Sequence, residues 1–233
     1  MKGRITRAEP QSRLALPIVG KIKCGMKSDK GLPTSVDYFI ASGKYEGLFR
    51  KAFGEKPQTI RIVFPSNDVS LVCKEEYEYR DNGGHLIAYG DGETFKVYSP
   101  KEESYKEYST EDYPGLMEGL SAKWPSKTGW QVTLTLRFLI PEVQGIAGCW
   151  EFKTKGKASS IPSVRDSFDA TLESVGKVVG VIFDLSVKFA KSQKPGQASR
   201  FPVVSLTANE SRENIEKVTE ARKPIMLEEK FAD

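Results

Sequence analysis

The sequence predicts an α+β, β-rich fold, with an antiparallel sheet or barrel in the C-terminal half and a hairpin-rich insertion before it. Three observations carry this. Trp130 to Ile140 and Val179 to Phe189 alternate apolar and polar residues, the period of a half-buried strand. Between them Ile161, Val164, Phe168, Leu172 and Val175 repeat at helical spacing until Gly176 closes the element. Finally, Asn82-Gly83-Gly84 and Gly90-Asp91-Gly92 are hairpin turn signals that split residues 70–124 into short β-type pieces.

In chain order, residues 1–18 are polar, basic and broken by Pro10 and Pro17, which reads as an extended basic arm. Ile18 to Cys24 is a short strand, and Lys30 to Pro33 a turn. Tyr45, Leu48, Phe49, Ala52 and Phe53 predict an amphipathic helix closed by Gly54. Thr59 to Phe64 is a strand with Ile60, Ile62 and Phe64 on one face; Pro65 to Asp68 is a turn or helix cap. Glu76–Tyr79, His85–Tyr89 and Thr94–Tyr98 are the β pieces of the insertion, followed by an acidic, tyrosine-rich stretch and a short helix over Pro114–Lys123. Trp130–Ile140, Gly148–Thr154, the helix, Val179–Ala190 and Phe201–Thr207 complete the series, with a polar loop over Lys191–Arg200. Counted with Thr59–Phe64, the order is strand, strand, strand, helix, strand, strand. That is the order of an oligonucleotide/oligosaccharide-binding barrel. The expected organisation is an arm (1–18), a single globular domain (19–210) with an insertion at about 66–127, and a helical, charged tail (211–233), its helix beginning at Asn209.

Composition narrows the chemistry. The chain has 233 residues, 39% of them hydrophobic, enough for a packed core. One histidine and three cysteines exclude His-rich zinc enzymes and leave any Ser-His-Asp or Cys-His catalyst hanging on His85 alone. His85 sits in a glycine-rich turn with no acidic or cysteine neighbour at ligand spacing, so a solvated histidine is expected. Cys24, Cys73 and Cys149 are widely spaced and read as small buried hydrophobes in a reducing cytoplasm. Gly90-Asp91-Gly92-Glu93 lacks the residues of a phosphate or calcium loop and reads as a turn. No run of 18 apolar residues and no secretory pattern is present, so no membrane partner is expected. No catalytic set, metal site or cofactor site emerges.

The net charge of +4 hides an asymmetry. Lys2, Arg4, Arg7, Arg13, Lys21, Lys23, Lys27 and Lys30 face only Glu9 and Asp29 in residues 1–30. Residues 101–113 are acidic (Glu102, Glu103, Glu107, Glu111, Asp112). Lys153, Lys155, Lys157, Lys188, Lys191, Lys194 and Arg200 gather in loops and strand ends, the pattern of a cationic groove for nucleic acid or simply of a solvated face. Trp130, Trp150, Phe152 and Phe183 fall on apolar faces and read as core. Tyr98, Tyr105, Tyr108 and Tyr113 are the candidate contacts for a protein partner, because tyrosine is favoured at interfaces.

Several ordered blocks share a further likeness: residues 20–25, Leu32–Phe39, Ile62–Asp68, Gly90–Glu93, Gly148–Ile161, Gly180–Leu185 and Pro202–Val204. Together, over roughly residues 18–210, they resemble the phage and prophage recombination directionality factor-like family. The resemblance implies a non-enzymatic accessory protein without cofactor. Its implied partner is a large serine integrase on attachment-site DNA, switched from attP × attB integration to attL × attR excision, with direct DNA contact as an added expectation. The implied location is the bacterial cytoplasm, with the nucleoid when on DNA. Family members often carry a cysteine cluster in the insertion that looks able to hold zinc; here Cys73 is surrounded by Tyr77, Ala88 and Phe95, with no second cysteine, and no metal is expected. The alternative reading is a barrel-type single-stranded DNA-binding or replication accessory protein.

Overall fold

Residues 16–28, 31–192 and 200–209 are described by the computed structural model. Residues 1–15 of the expected arm, Lys194 and the expected tail helix beyond Asn209 therefore lie outside the described residues, while Ile18 opens the first strand.

β1 (Ile18–Lys27) and β2 (Pro33–Ser42) form a hairpin, turned by Gly31 at φ 73°. α1 (Glu46–Phe53) ends at Gly54, whose φ of 82° and N–H to the Arg50 carbonyl (2.8 Å) stop the helix. β3 (Thr59–Val63) buries Ile60 and Ile62, with Phe64 just beyond it. Asp68 caps the single turn of α2 (Val69–Val72), accepting from the Ser70 N–H at 3.0 Å. β4 (Cys73–Arg80), β5 (Leu86–Gly90), β6 (Thr94–Ser99) and β7 (Ser104–Ser109) form a meander, and α3 (Leu116–Lys123) follows. The Asp91 carboxylate accepts from the Glu93 and Thr94 N–H groups, so Gly90–Glu93 is the turn its composition indicates. β8 (Trp130–Phe138), β9 (Cys149–Thr154), α4 (Ser160–Val175), β10 (Ile182–Lys191) and β11 (Arg200–Ala208) complete the chain.

The α+β, β-rich class stands, but the barrel does not form. The strands lie in two sheets, β2-β1-β9-β8-β4-β5-β6-β7 and β11-β10-β3. β3 pairs with β10, while β8 and β9 belong to the large sheet, so the strands that would close a barrel are divided. β1 then lies parallel to β9 and occupies the edge through which closure would run. β2 and β7 were not expected as strands. β2 lacks clean alternation: Phe39 and Ala41 are buried and Ile40 is half-buried. β7 (Ser-Tyr-Lys-Glu-Tyr-Ser) is an exposed, charged edge, held by its pairing with β6 rather than by an apolar face.

One core lies between the sheets and α4. Ile22, Phe39, Leu136 and Phe152 come from the large sheet, Ile62, Phe183 and Leu185 from the small one, and Val164 and Phe168 from α4. Phe64 packs edge-on against Phe168 (4.9 Å) and Phe183 (5.2 Å), at the centre of this contact. Buried Ser160 ties the start of α4 to β11 by accepting from the Val204 N–H at 3.0 Å. A second core under α3 holds Tyr79, Ile87, Ala88, Phe95, Val97 and Leu120. Tyr77 packs against it, so three positions around Cys73 in sequence, Tyr77, Ala88 and Phe95, build apolar packing.

Gly90 is required by this meander. A Cβ there would run into the Thr94 carbonyl oxygen and crowd Phe95, forcing β5 and β6 apart. Gly90→Ala is expected to cost about 1–3 kcal/mol. On the exposed side of α3, Gly119 has open space around it, and Gly119→Ala is expected to gain up to about 1 kcal/mol. Paired thermal melts check both; equal melting points for the two variants would remove the argument.

Candidate functional site

Side chains alternate across the large sheet, and cross-strand partners share a face. Cys73, Tyr77, Tyr79, Leu134, Leu136 and Phe152 point inward. Their neighbours Lys74, Glu76, Glu78, Gln131, Thr133, Thr135, Arg137, Glu151 and Lys153 therefore line the outer face, in register across β4, β8 and β9. β1 adds Lys21, opposite Glu151.

Charge on this face is arranged in shared pairs. Glu151 lies between Lys21 (3.8 Å) and Arg137 (3.6 Å). Glu78 lies between Lys153 (3.2 Å) and Arg80 (3.1 Å), and Lys74 meets Glu76 at 2.6 Å. Lys155 donates to the Gln131 side-chain oxygen at 2.6 Å. Glu78 is only 4% exposed. Burial alone would raise its pKa, but Lys153 and Arg80 outweigh burial and hold it below the ordinary glutamate value. Lys155 is shifted down, first by burial, then by the nearby Arg80 and Lys153 charges, with Glu78 opposing.

The expected nucleic-acid residues thus separate into two groups. Lys153 and Lys155 belong to the outer sheet face and are engaged by Glu78 and Gln131. Lys157 is exposed in the loop before α4. Lys188, Lys191 and Arg200 lie instead on the β10–β11 hairpin of the small sheet, Lys191 opposite Arg200. Lys21, Lys74, Arg80 and Arg137 were missed as members of the first group. Their signal was present as the polar half of each alternating strand, but only strand pairing shows that these halves adjoin.

The four expected partner tyrosines also divide. Tyr98 and Tyr105 are a cross-strand pair at 5.6 Å, and Tyr89 joins them at 5.4 Å from Tyr105. The Tyr105 hydroxyl donates to the Leu86 carbonyl at 2.8 Å, fixing its ring at the mouth of a recess of about 420 Å³ shared with His85, Ile87 and Trp124. Tyr108 lies on the opposite face, paired with Phe95, packed against the second core and 5.1 Å from exposed Tyr113. His85 is exposed as expected, but it does have an acidic neighbour. Its N–H and its ring nitrogen Nδ1 lie 2.8 and 3.0 Å from the Asp81 carboxylate. This contact closes the β4–β5 turn.

A groove of about 570 Å³, which no sequence signal marked, runs beside β4 between α4 and the β5–β6 turn. Arg165 spans its wall from Glu75 (2.8 Å) to Asp169 (3.4 Å). Burial pushes the Cys24 and Cys73 thiols up to about 12 and Cys149 up to about 11. At neutral pH all three are protonated and behave as packing groups. Among the described residues no cluster of three or more His, Cys, Asp or Glu could hold a metal ion. No helix among them is long and apolar enough to cross a membrane.

The family comparison matches over almost the whole described span. The profile described as Gp3-like, recombination directionality factor-like, covers residues 19–209. No curated protein and no solved structure matches. The match runs from β1 through β11 and takes in the outer sheet face, the tyrosine cluster and the basic hairpin alike: the chain belongs to the recombination directionality factor-like family.

Proposed function

We propose that this chain is a recombination directionality factor that binds a large serine integrase on attachment-site DNA and turns it from integration to excision. The family match over residues 19–209 is the observation that carries this reading. The chain acts by binding. An accessory protein reverses the outcome when it favours one synaptic arrangement of the integrase over the other, and a differential of about 5.5 kcal/mol moves a two-state ratio from 1:99 to 99:1. The Tyr89, Tyr98 and Tyr105 cluster supports the reading as a contact surface. Its rings are held by one another and by Leu86, so little side-chain entropy remains to be lost on docking.

The test is recombination in vitro with the integrase encoded beside the gene. Adding the chain is expected to start attL × attR excision and suppress attP × attB integration. Tyr98→Ala together with Tyr89→Ala is expected to raise the concentration needed by about tenfold, the effect of losing interface aromatics worth some 1–2 kcal/mol. Unchanged product ratios at saturating protein would overturn the proposal.

A further inference from the structure

The basic hairpin is a different kind of surface from the sheet face. β3 pairs with β10 only from Ile182 to Ser186. Beyond that point Lys188↔Val203, Phe189↔Pro202, Ala190↔Phe201 and Lys191↔Arg200 continue as a two-stranded ribbon. Pro202, on the outer strand, has no N–H to offer a further strand. The connection from Lys188 to Val204 holds Lys188, Lys191, Lys194 and Arg200 and no acidic residue. Among the described residues, Lys188, Lys191 and Arg200 form no ion pair with a carboxylate. On the large sheet, by contrast, Lys21, Lys74, Arg80, Arg137 and Lys153 share carboxylates.

Two large rings stand exposed among these free cations. Phe189 and Phe201 are each 36% exposed. Pairing puts Lys188 and Phe201 on one face of the ribbon, and Phe189, Lys191 and Arg200 on the other. Cations on both faces suit an environment with two negative walls. A flat acidic protein surface meets one face only. A duplex groove presents phosphates on either side, and the major groove, about 12 Å wide, admits a two-stranded β-ribbon.

We infer that the β10–β11 ribbon is a duplex-DNA binding element. Lys188 on one face and Lys191 and Arg200 on the other reach the two phosphate strands, and Phe189 and Phe201 contact sugars and base edges between them. That the duplex is an attachment site rests on the recombination-factor reading; the binding itself does not.

The test omits the integrase, so it fails or succeeds independently of the switching assay. The chain is titrated against a fluorescently labelled duplex of arbitrary sequence at several salt concentrations. Neutralising three phosphates gives a log–log salt slope of about −2.7. Lys188→Gln, Lys191→Gln and Arg200→Gln together should flatten that slope and weaken low-salt binding by about thirtyfold or more. Lys21→Gln, Lys74→Gln and Lys96→Gln on the large sheet should leave it intact. Phe201→Ala should weaken binding about threefold with the slope retained, since it removes an apolar contact and no charge. If the triple variant fails to fold, Lys191→Glu at one exposed position should reduce the slope by about 0.9 and weaken low-salt binding. Absence of binding at low salt, wild-type binding by the ribbon variants, or displacement of the duplex by polyglutamate as readily as by unlabelled DNA would overturn the inference.

Discussion

Phe64→Ala is expected to lower the unfolding free energy by about 3–5 kcal/mol, the range for truncating a fully buried phenylalanine. Phe64 is 1% exposed and meets both Phe168 of α4 and Phe183 of β10. It follows β3, whose last residue Val63 also bridges to Leu139 beyond β8. Its ring therefore fills the place where the small sheet, α4 and the end of the large sheet converge. These elements are fixed by their own backbone pairing, so little collapse into the cavity is available. Urea titration should show a lowered midpoint with an unchanged slope. A loss below about 1 kcal/mol would mean that the junction relaxes freely.

The second large effect comes from stranding Glu78. Replacing both Lys153 and Arg80 with Met leaves a carboxylate that is 4% exposed without either of its ion-pair partners, Lys155 being the cation that remains nearby. The expected cost at neutral pH is about 2–4 kcal/mol, below that of a fully buried pair because both cations are themselves partly exposed. Glu78→Gln should cost less, about 1–2 kcal/mol, since the cations left behind retain water. The pH dependence separates these cases. In the wild type the folded-state pKa of Glu78 is depressed, so its contribution is present above the unfolded value, about 4.3, and is lost as pH falls. In the Met double variant burial, the largest influence on Glu78, loses both ion-pair partners that oppose it, keeps only the Lys155 charge against it, and raises that pKa. Glu78 then favours folding only when protonated, and its contribution is lost as pH rises. Relative to wild type, the double variant should recover stability on acidification, as the carboxyl takes up its proton. A constant difference at all pH values would show that the pair contributes through packing rather than charge.

The elements that were legible in sequence share one property: their apolar positions face a single side. Ile60, Ile62 and Phe64, the helix through Val164 and Phe168, and the alternating run Phe183–Leu185–Val187 are all buried as their spacing indicates. Where an element owes its form to a neighbour, sequence was silent. β7 carries Lys106 and Glu107 in succession, one on each face, and exists through its pairing with β6. Thr133 and Thr135 read as a solvent face, yet they are 1% and 5% exposed, because adjoining strands carry long charged side chains around them.

The same division holds for the candidate site. Tyr98 and Tyr105, and Lys191 and Arg200, were visible as tyrosines and cations, and each pair is brought together by a hairpin register. Tyr89 and the sharing of Glu78 by Arg80 and Lys153 were not visible. Tyr89 reaches Tyr105 across the intervening strand β6, and Lys153 reaches Glu78 from a strand far along the chain.

Taken alone, the sequence determined the β-rich α+β class, the main alternating strands and helices, the turns, the uneven charge and the likeness to a recombination factor family. The tertiary structure alone decided that β1 lies parallel beside β9, that the strands divide into two sheets instead of closing a barrel, and which cations acquire carboxylates. Alternation tells a strand which of its faces avoids water. It says nothing about which other strand will satisfy its backbone, because that choice is made by long-range pairing and by the shape of the shared core.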